Sequence, residues 1–242
     1  MAARRVLIVM PVYNEDAHLV TVLRQVKPYG HDVLVVNDGS SDRTPDLLAA
    51  EPGIEVLTHP VNAGYGRALA DGFRYALDRP YDAAITMDCD GQHEPDAIPQ
   101  FVTRLRDADI VSGSRYLTEF DTDDAAPPER RRINTEITRL LNECLGFGIS
   151  DAFCGFKAYG RRALESFEVT EDGYGMPLQL WVQAHAAGLS VVEVAIPRIY
   201  KDRGRTFGGG IDDPEERLRY YHEVIRREMK RRGLDVATKC CP

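Results

Sequence analysis

The chain has no excess of basic residues. Thirty Lys and Arg stand against 38 Asp and Glu, a formal net charge of −8 over 242 residues. A nucleic-acid binder would normally show the opposite balance. Long apolar runs are also missing, and none approaches the roughly 20 residues that a membrane-spanning helix needs. The opening "MAARRVLIVMPVYNE" has too short an apolar core, and no small-residue cleavage site, to read as a secretory signal. Cysteine is sparse: Cys89, Cys144, Cys154, Cys240 and Cys241 lack the spacing of a zinc site. Reduced thiols in a cytoplasmic protein are the expectation. Repeats, low-complexity tracts, a Walker loop and a G-x-G-x-x-G fingerprint are absent. What remains is ordinary for a globular chain, 43% apolar and 28% charged. Its length suits one large domain, or one with a small appendage.

The first half alternates two kinds of segment. "RVLIVMPV", "DVLVVND", "IEVLTH", "DAAITMD" and "DIVSGSRY" are short apolar runs, as buried parallel strands are. Between them lie helical patterns: Leu19, Val22, Leu23 and Val26 share a face, and "SSDRTPDLLAA", "GYGRALADGFRYAL" and "EPDAIPQFVTRLR" follow. Strand and helix in alternation predict an α/β fold, a doubly wound, mostly parallel sheet flanked by helices.

The second half is less regular. Residues 117–128, "LTEFDTDDAAPP", are acidic and proline-containing and read as a mobile loop. "RRRINTEITRLLNECLG" is helical, "DAFCGFKAYG" strand-like, "MPLQLWVQAHAAG" helical and "LSVVEVAIPRIY" a strand. Residues 212–233 form the clearest helix, capped by Asp212 or Asp213, with Leu218, Tyr221, Ile225 and Met229 on one face. Its basic end complements the helix dipole, or else attracts an anionic membrane surface. The expected organisation is a domain over 1–210, split at 116/117, followed by a C-terminal amphipathic helix and tail over 211–242.

In such sheets ligands bind beyond the carboxyl ends of the strands. "PVYNE", "NDGSSD", "NAGYGR", "DCDGQH" and "GSRY" each lie at or just beyond such an end, so all five should meet on one rim. In an extended segment Asp88 and Asp90 point the same way. With Gln92 they supply hard oxygen ligands suited to Mg²⁺ or Mn²⁺. A lone D-x-D is usually a solvated turn; its place on a ligand rim is what raises its weight. His93 is left as a turn or second-layer residue. Asp38 can accept from a nucleobase N–H or cap the next helix. The glycines of "NAGYGR", Gly64 among them, can let backbone N–H groups or Arg67 approach a diphosphate.

In this order the motifs "PVYNE", "VVNDGSSD", "NAGYGRAL", "MDCDGQHEPDAI", "GSRY" and "DAFCGFKAYGR" resemble the family 2 glycosyltransferases of the GT-A fold. The nearest likeness is to the polyprenyl-phosphate sugar transferases, dolichol-phosphate mannose synthase among them. It spans roughly residues 4–205. The resemblance implies a Rossmann-like nucleotide half and an acceptor half. Pro11, Tyr13, Glu15 and Asp38 would hold the base and ribose of a nucleotide-diphosphate sugar. Asp88, Asp90 and Gln92 would hold the cation and diphosphate. Arg115, Arg131 or Arg132, and Arg203 with Arg205 close behind, would face an acceptor phosphate. Two departures stand out. The family's usual glutamate in the helix after "GY" is Gln179 here, and the "DRxxGxSK"-like ending is "DRGRTFGG".

The implied reaction is metal-dependent, inverting transfer of a hexose from GDP-mannose or UDP-glucose to a polyprenyl phosphate. The protein would be cytoplasmic, with peripheral membrane contact. A hydroxyl acceptor is the alternative, and it would need a carboxylate base, for which Glu171 and Asp172 are the candidates. A non-catalytic sugar-nucleotide-binding module is a second alternative. A nucleotidyltransferase would show a glycine-rich basic loop after the first strand, where "PVYNE" stands.

Overall fold

The computed structural model describes residues 4–201 and 210–234. Each apolar run of the first half becomes a strand. β1 (Val6–Val12), β2 (Asp32–Asn37), β3 (Glu55–Thr58), β4 (Ala83–Thr86) and β5 (Ile110–Ser114) alternate with α1 (Leu19–Val26), α2 (Thr44–Ala50), α3 (Tyr65–Leu77) and α4 (Ile98–Arg104). The second half adds α5 (Pro128–Leu145), β6 (Lys157–Gly160), α6 (Arg161–Ser166), α7 (Met176–Ala186), β7 (Val191–Ala195) and α8 (Pro214–Arg231). Among the described residues the strands form one seven-stranded sheet in the order β3-β2-β1-β4-β6-β5-β7.

The continuous hydrophobicity of β1 has a direct cause. Val6, Ile8, Met10 and Val12 pack with side chains of α1 and α4 on one face. Leu7 and Val9 pack with α3, α6 and α7 on the other. A strand covered on both faces has no position left for a polar side chain.

The chain winds from β1 out through β2 to β3, then returns to place β4 on the other side of β1. The loops after β1 and β4 therefore diverge and leave a crevice between their carboxyl ends. β5 does not sit beside β4 as a regular winding would put it. β6 lies between them, antiparallel to both. Only the last four residues of "DAFCGFKAYG" pair as a strand. The preceding residues cross the sheet end as a loop, pinned where the Thr86 hydroxyl donates to the Gly155 carbonyl at 2.7 Å.

One further expectation is corrected. The acidic loop is held: Asp123 accepts from the Arg198 N–H at 2.7 Å and Asp124 from the Tyr200 N–H at 2.8 Å. Tyr221, Val224, Ile225 and Met229 of α8 are buried in one cluster with α5 and α7. Cys89 and Cys154 are free, as expected, and both are buried. The helix cap is as read, with Asp213 accepting from the N–H groups of Glu215 and Glu216. Several bases at its far end are engaged by acids: Arg227 meets Glu171, Arg231 meets Glu168 and Arg232 meets Glu228. Among the described residues no helix is long and apolar enough to cross a membrane.

Leu23→Ala removes a fully buried side chain where α1 meets β1 and is expected to cost about 2–5 kcal/mol. Val56→Ser, on the exposed face of β3, should stay within about 0.5 kcal/mol. Urea unfolding measures both.

Candidate active site

A cavity of about 620 Å³ opens beyond the β1–β4 crevice. Pro11 at the end of β1, Tyr13 and Glu15 after it, Asp38 after β2, Gly64 before α3, Asp88, Asp90 and Gln92 after β4, and Arg115 after β5 all line it. The expected convergence of strand-end motifs is what the sheet topology produces. The opposite wall comes from residues outside those motifs, including Arg130 and Asn134 of α5, Tyr174, and Arg217 and Tyr221 of α8.

Asp88 and Asp90 are half-buried against the cavity, while Cys89 between them packs into the core. This is the strand period of two carried one turn past β4. Asp90 accepts from the Gln92 backbone N–H at 3.0 Å and from its side-chain amide at 2.8 Å. Gln92 thus orients Asp90. The Tyr65 hydroxyl bonds Asp88, and burial together with that carboxylate holds its pKa well above the usual phenol value. Gly155 faces this pair so closely that a Cβ would lie 2.5 Å from Asp88 Oδ2 and 3.0 Å from the Tyr65 oxygen.

His93 is buried behind Asp88. Burial opposes its charged form, while Asp88 chiefly, with Cys154 and Asp90, favours it. The Asp88 N–H, however, donates to Nδ1 at 3.1 Å and requires that nitrogen bare. The direct hydrogen bond takes precedence over a carboxylate 3.8 Å away at Nε2, so the proton rests on Nε2. Among the described residues no group of three or more His, Cys, Asp or Glu side chains surrounds a metal position. Two hard carboxylates on one cavity wall fit Mg²⁺ or Mn²⁺ when ligand phosphate and water oxygens complete the shell.

Other expected residues turn out to be engaged elsewhere. Asp38 is buried, and its carboxylate accepts from Ala63 N–H and Gly64 N–H at 2.8 Å each and bonds His59 Nδ1 at 2.7 Å. It fixes the turn into α3, and it does not cap α2, whose first N–H donates to Asp42 at 2.9 Å. The N–H groups of Gly66 and Arg67 donate to the Asp172 carbonyl at 2.7 and 3.2 Å. Arg67 itself pairs with Asp71 at 2.7 Å, away from the cavity. The donors expected to approach a diphosphate are therefore satisfied within the protein.

Neither candidate base stands in the cavity wall. Glu171 is buried, accepts from the Tyr220 hydroxyl at 2.5 Å and is paired with Arg227. Asp172 is exposed, and only its carbonyl has a defined role. Gln179 now has an explanation. Its oxygen accepts from the N–H groups of Thr170 and Glu171, and its NH₂ donates to Thr170 and, at 2.9 Å, to buried Glu228. A carboxylate at 179 would oppose Glu228 and lack those donor hydrogens.

Arg115 reaches the cavity while its Nε and Nη2 bind Asp151 at 2.7 and 3.0 Å. Asp151 is fully buried and also accepts from Asn134 at 2.7 Å. Burial raises its pKa, but Arg115 chiefly, with Asn134 and Lys157, more than reverses this and holds it well below the carboxylate range. Arg131 stacks over the Tyr116 ring at 3.7 Å, and Arg132 pairs with Glu215 at 2.5 Å. Neither lines the cavity. Arg203 and Arg205 lie outside the described residues.

Comparisons with known proteins agree with this arrangement. Residues 7–167 match the model of the family described as Glycosyl transferase family 2. The chain is 32% identical over 217 residues to undecaprenyl-phosphate mannosyltransferase of Micrococcus luteus, covering 86% of this chain and 89% of that one. It is 31% identical over 245 residues to polyprenol monophosphomannose synthase of Mycolicibacterium smegmatis, covering 96% and 91%. The fold matches a crystal structure of glucosyl-3-phosphoglycerate synthase from Mycobacterium tuberculosis in complex with Mn²⁺, UDP-glucose and phosphoglyceric acid. The TM-score is 0.68 at 20% identity, over 97% of this chain and 81% of that one. The fold is thus that of a GT-A glycosyltransferase. The chain belongs to glycosyl transferase family 2.

Arg115→Met leaves the buried Asp151 without its counter-ion and is expected to cost about 3–5 kcal/mol at neutral pH. A depressed carboxylate contributes stability above its unfolded pKa and loses it as pH falls through the folded one. The gap between wild type and Arg115→Met should therefore narrow from about pH 4 downward. Urea unfolding across pH checks this, and a constant gap contradicts it.

Proposed function

We propose that the protein moves a hexose from a nucleotide-diphosphate sugar to the phosphate of a polyprenyl carrier at the membrane surface, inverting the anomeric carbon. The observation that carries the reading is the Asp88–Asp90 pair, held by Tyr65 and Gln92 on the wall of the β1–β4 cavity. The names of the two relatives favour mannose as the sugar and a polyprenyl phosphate as the acceptor. UDP-glucose remains the second donor, as in the structural neighbour. Residues 1–116 would form the donor half and residues 117–210 the acceptor half.

The residues divide the work as follows. Tyr13, 45% exposed at the cavity mouth, offers an aromatic face to the base, and Pro11 and Glu15 shape the same end. Asp38 acts indirectly, by fixing the turn at Gly64. Asp88 and Asp90 would hold Mg²⁺ or Mn²⁺, which when bound supplies Lewis-acid stabilisation of the leaving diphosphate. Gln92 and His93 keep those carboxylates oriented. A phosphate acceptor is already ionised and needs position more than a base. This agrees with the engagement of Glu171 and the exposure of Asp172, which weigh against a hydroxyl acceptor. Arg115, anchored by Asp151, presents the rest of its guanidinium to the acceptor side.

Asp90→Ala is expected to lower transfer by about 10²-fold or more, with far-UV circular dichroism unchanged. Slow hydrolysis of the nucleotide sugar by wild type should vanish with EDTA. Full activity of Asp90→Ala at saturating Mn²⁺ would overturn the metal assignment, and the absence of any EDTA-sensitive turnover would favour a binding module. Thermal shifts with GDP-mannose and UDP-glucose in Mn²⁺ rank the donors, because a bound ligand stabilises the fold by mass action.

A further inference from the structure

We infer that Asn14 is a positioning residue for the nucleotide: it locks the loop after β1 onto the loop after β2 and so presents the Tyr13 ring to the base. The inference rests on the proposed nucleotide-sugar donor and adds what fixes the aromatic face that would meet it. Tyr13 lines the cavity and Asn14 does not, so Asn14 acts through its neighbour.

Among the described residues Asn14 alone, glycines apart, has a positive φ, at 54°. Asparagine enters this left-handed region more readily than most residues, because its short polar side chain can bond nearby backbone. Such a conformation persists where the surroundings over-determine it. Here they do. The Asn14 N–H donates to the Ser40 hydroxyl at 2.9 Å. Its side-chain oxygen accepts from the N–H groups of Ser41 and Asp42 at 2.8 and 3.3 Å. The next two N–H groups continue the contact. That of Glu15 donates to the Thr44 hydroxyl at 3.0 Å, and that of Asp16 to the Asp42 carboxylate at 3.1 Å. Hydrogen bonds thus run in both directions between residues 14–16 and 40–44.

The anchor itself has little room to shift. A Cβ on Gly39 would lie 2.4 Å from the Val61 carbonyl carbon, so the loop after β2 is pressed against the segment that leads to α3. On the other side of Tyr13, the Val12 carbonyl accepts from the Asp38 N–H at 2.8 Å. The Tyr13 backbone is therefore held at both neighbours, while its side chain stays 45% exposed. The turn at Asn14 also separates two side chains. In an extended segment Tyr13 and Glu15 would point the same way. With Asn14 left-handed between them, Glu15 is buried and Tyr13 stands at the mouth. A ring set in place before the ligand arrives costs less ordering on binding, and an aromatic face is what a nucleobase stacks on.

The test is calorimetric binding of GDP and of UDP to the full chain with Mn²⁺, beside pyrophosphate as a probe without a base. Asn14→Ala loses both the acceptor and the tolerance of positive φ. It should weaken the nucleotide that binds wild type by about ten-fold, and pyrophosphate by less than about two-fold. Asn14→Asp keeps both properties and should stay within about three-fold of wild type. If Asn14→Ala fails to fold, Asn14→Gly is used; it accepts the backbone angle, lacks only the oxygen, and should weaken the nucleotide several-fold. In a Tyr13→Ala background neither Asn14→Ala nor Asn14→Gly should weaken the nucleotide further, because coupled residues are not additive. Wild-type nucleotide affinity in Asn14→Ala or its glycine substitute, an equal loss of pyrophosphate, an Asn14→Asp as weak as Asn14→Ala, or full additivity with Tyr13→Ala overturns the inference and leaves the proposed donor in place. Binding of neither GDP nor UDP to wild type overturns the donor and the inference together.

Discussion

The α5 side of the cavity hangs on one buried ion pair. Asp151 has no exposure and joins three separate pieces of chain. It takes two hydrogen bonds from the Arg115 side chain after β5, one from Asn134 in α5 and one from the Phe153 N–H in the loop that leads to β6. A buried carboxylate is tolerated only when its lone pairs are satisfied and its charge is matched. The fold meets both conditions with residues that also line or flank the cavity. The strand that interrupts the parallel sheet, the long helix of the opposite wall and the arginine at the end of β5 are therefore positioned together.

The β1–β4 side of the cavity is built by a parallel device. Asp38 fixes the turn before α3, and the Asp172 carbonyl takes the next N–H groups of that helix. The approach is so close that a Cβ on Gly66 would lie 2.1 Å from the Glu171 carbonyl. Glu171 is in turn bound to Tyr220 and Arg227 of α8, and Gln179 and Gln183 of α7 bridge to Glu228. A continuous polar network thus runs from the C-terminal helix to the turn beside Asp88. α8 braces the site and also contributes to its wall.

The alternating first half of the fold was legible because its strands are covered on both faces, so that burial shows as unbroken apolar runs. The placement of Asp88 and Asp90 on one cavity wall was legible for a related reason. They bracket a core residue, Cys89, and the period of two carries past the strand end. Features set by long-range pairing were not legible. Nothing local in "KAYG" says that β6 enters between β4 and β5. The partners of Asp38, His59 and the N–H groups of residues 63 and 64, are likewise chosen by tertiary packing. Arg217 left one trace: a charge on the helix face that also carries Tyr221, Ile225 and Glu228. That trace had no meaning until α5 and α7 covered the face.

The central claim is transfer of a hexose to a polyprenyl phosphate, directed by the Asp88–Asp90 pair in a family 2 glycosyltransferase. The most direct measurement is the mass of the lipid product formed from farnesyl monophosphate and a nucleotide sugar with Mn²⁺. The expected result is one added hexose on the phosphate, lost in Asp90→Ala. Consumption of the nucleotide sugar with the lipid mass unchanged and the hexose found only on a hydroxyl acceptor would contradict the account.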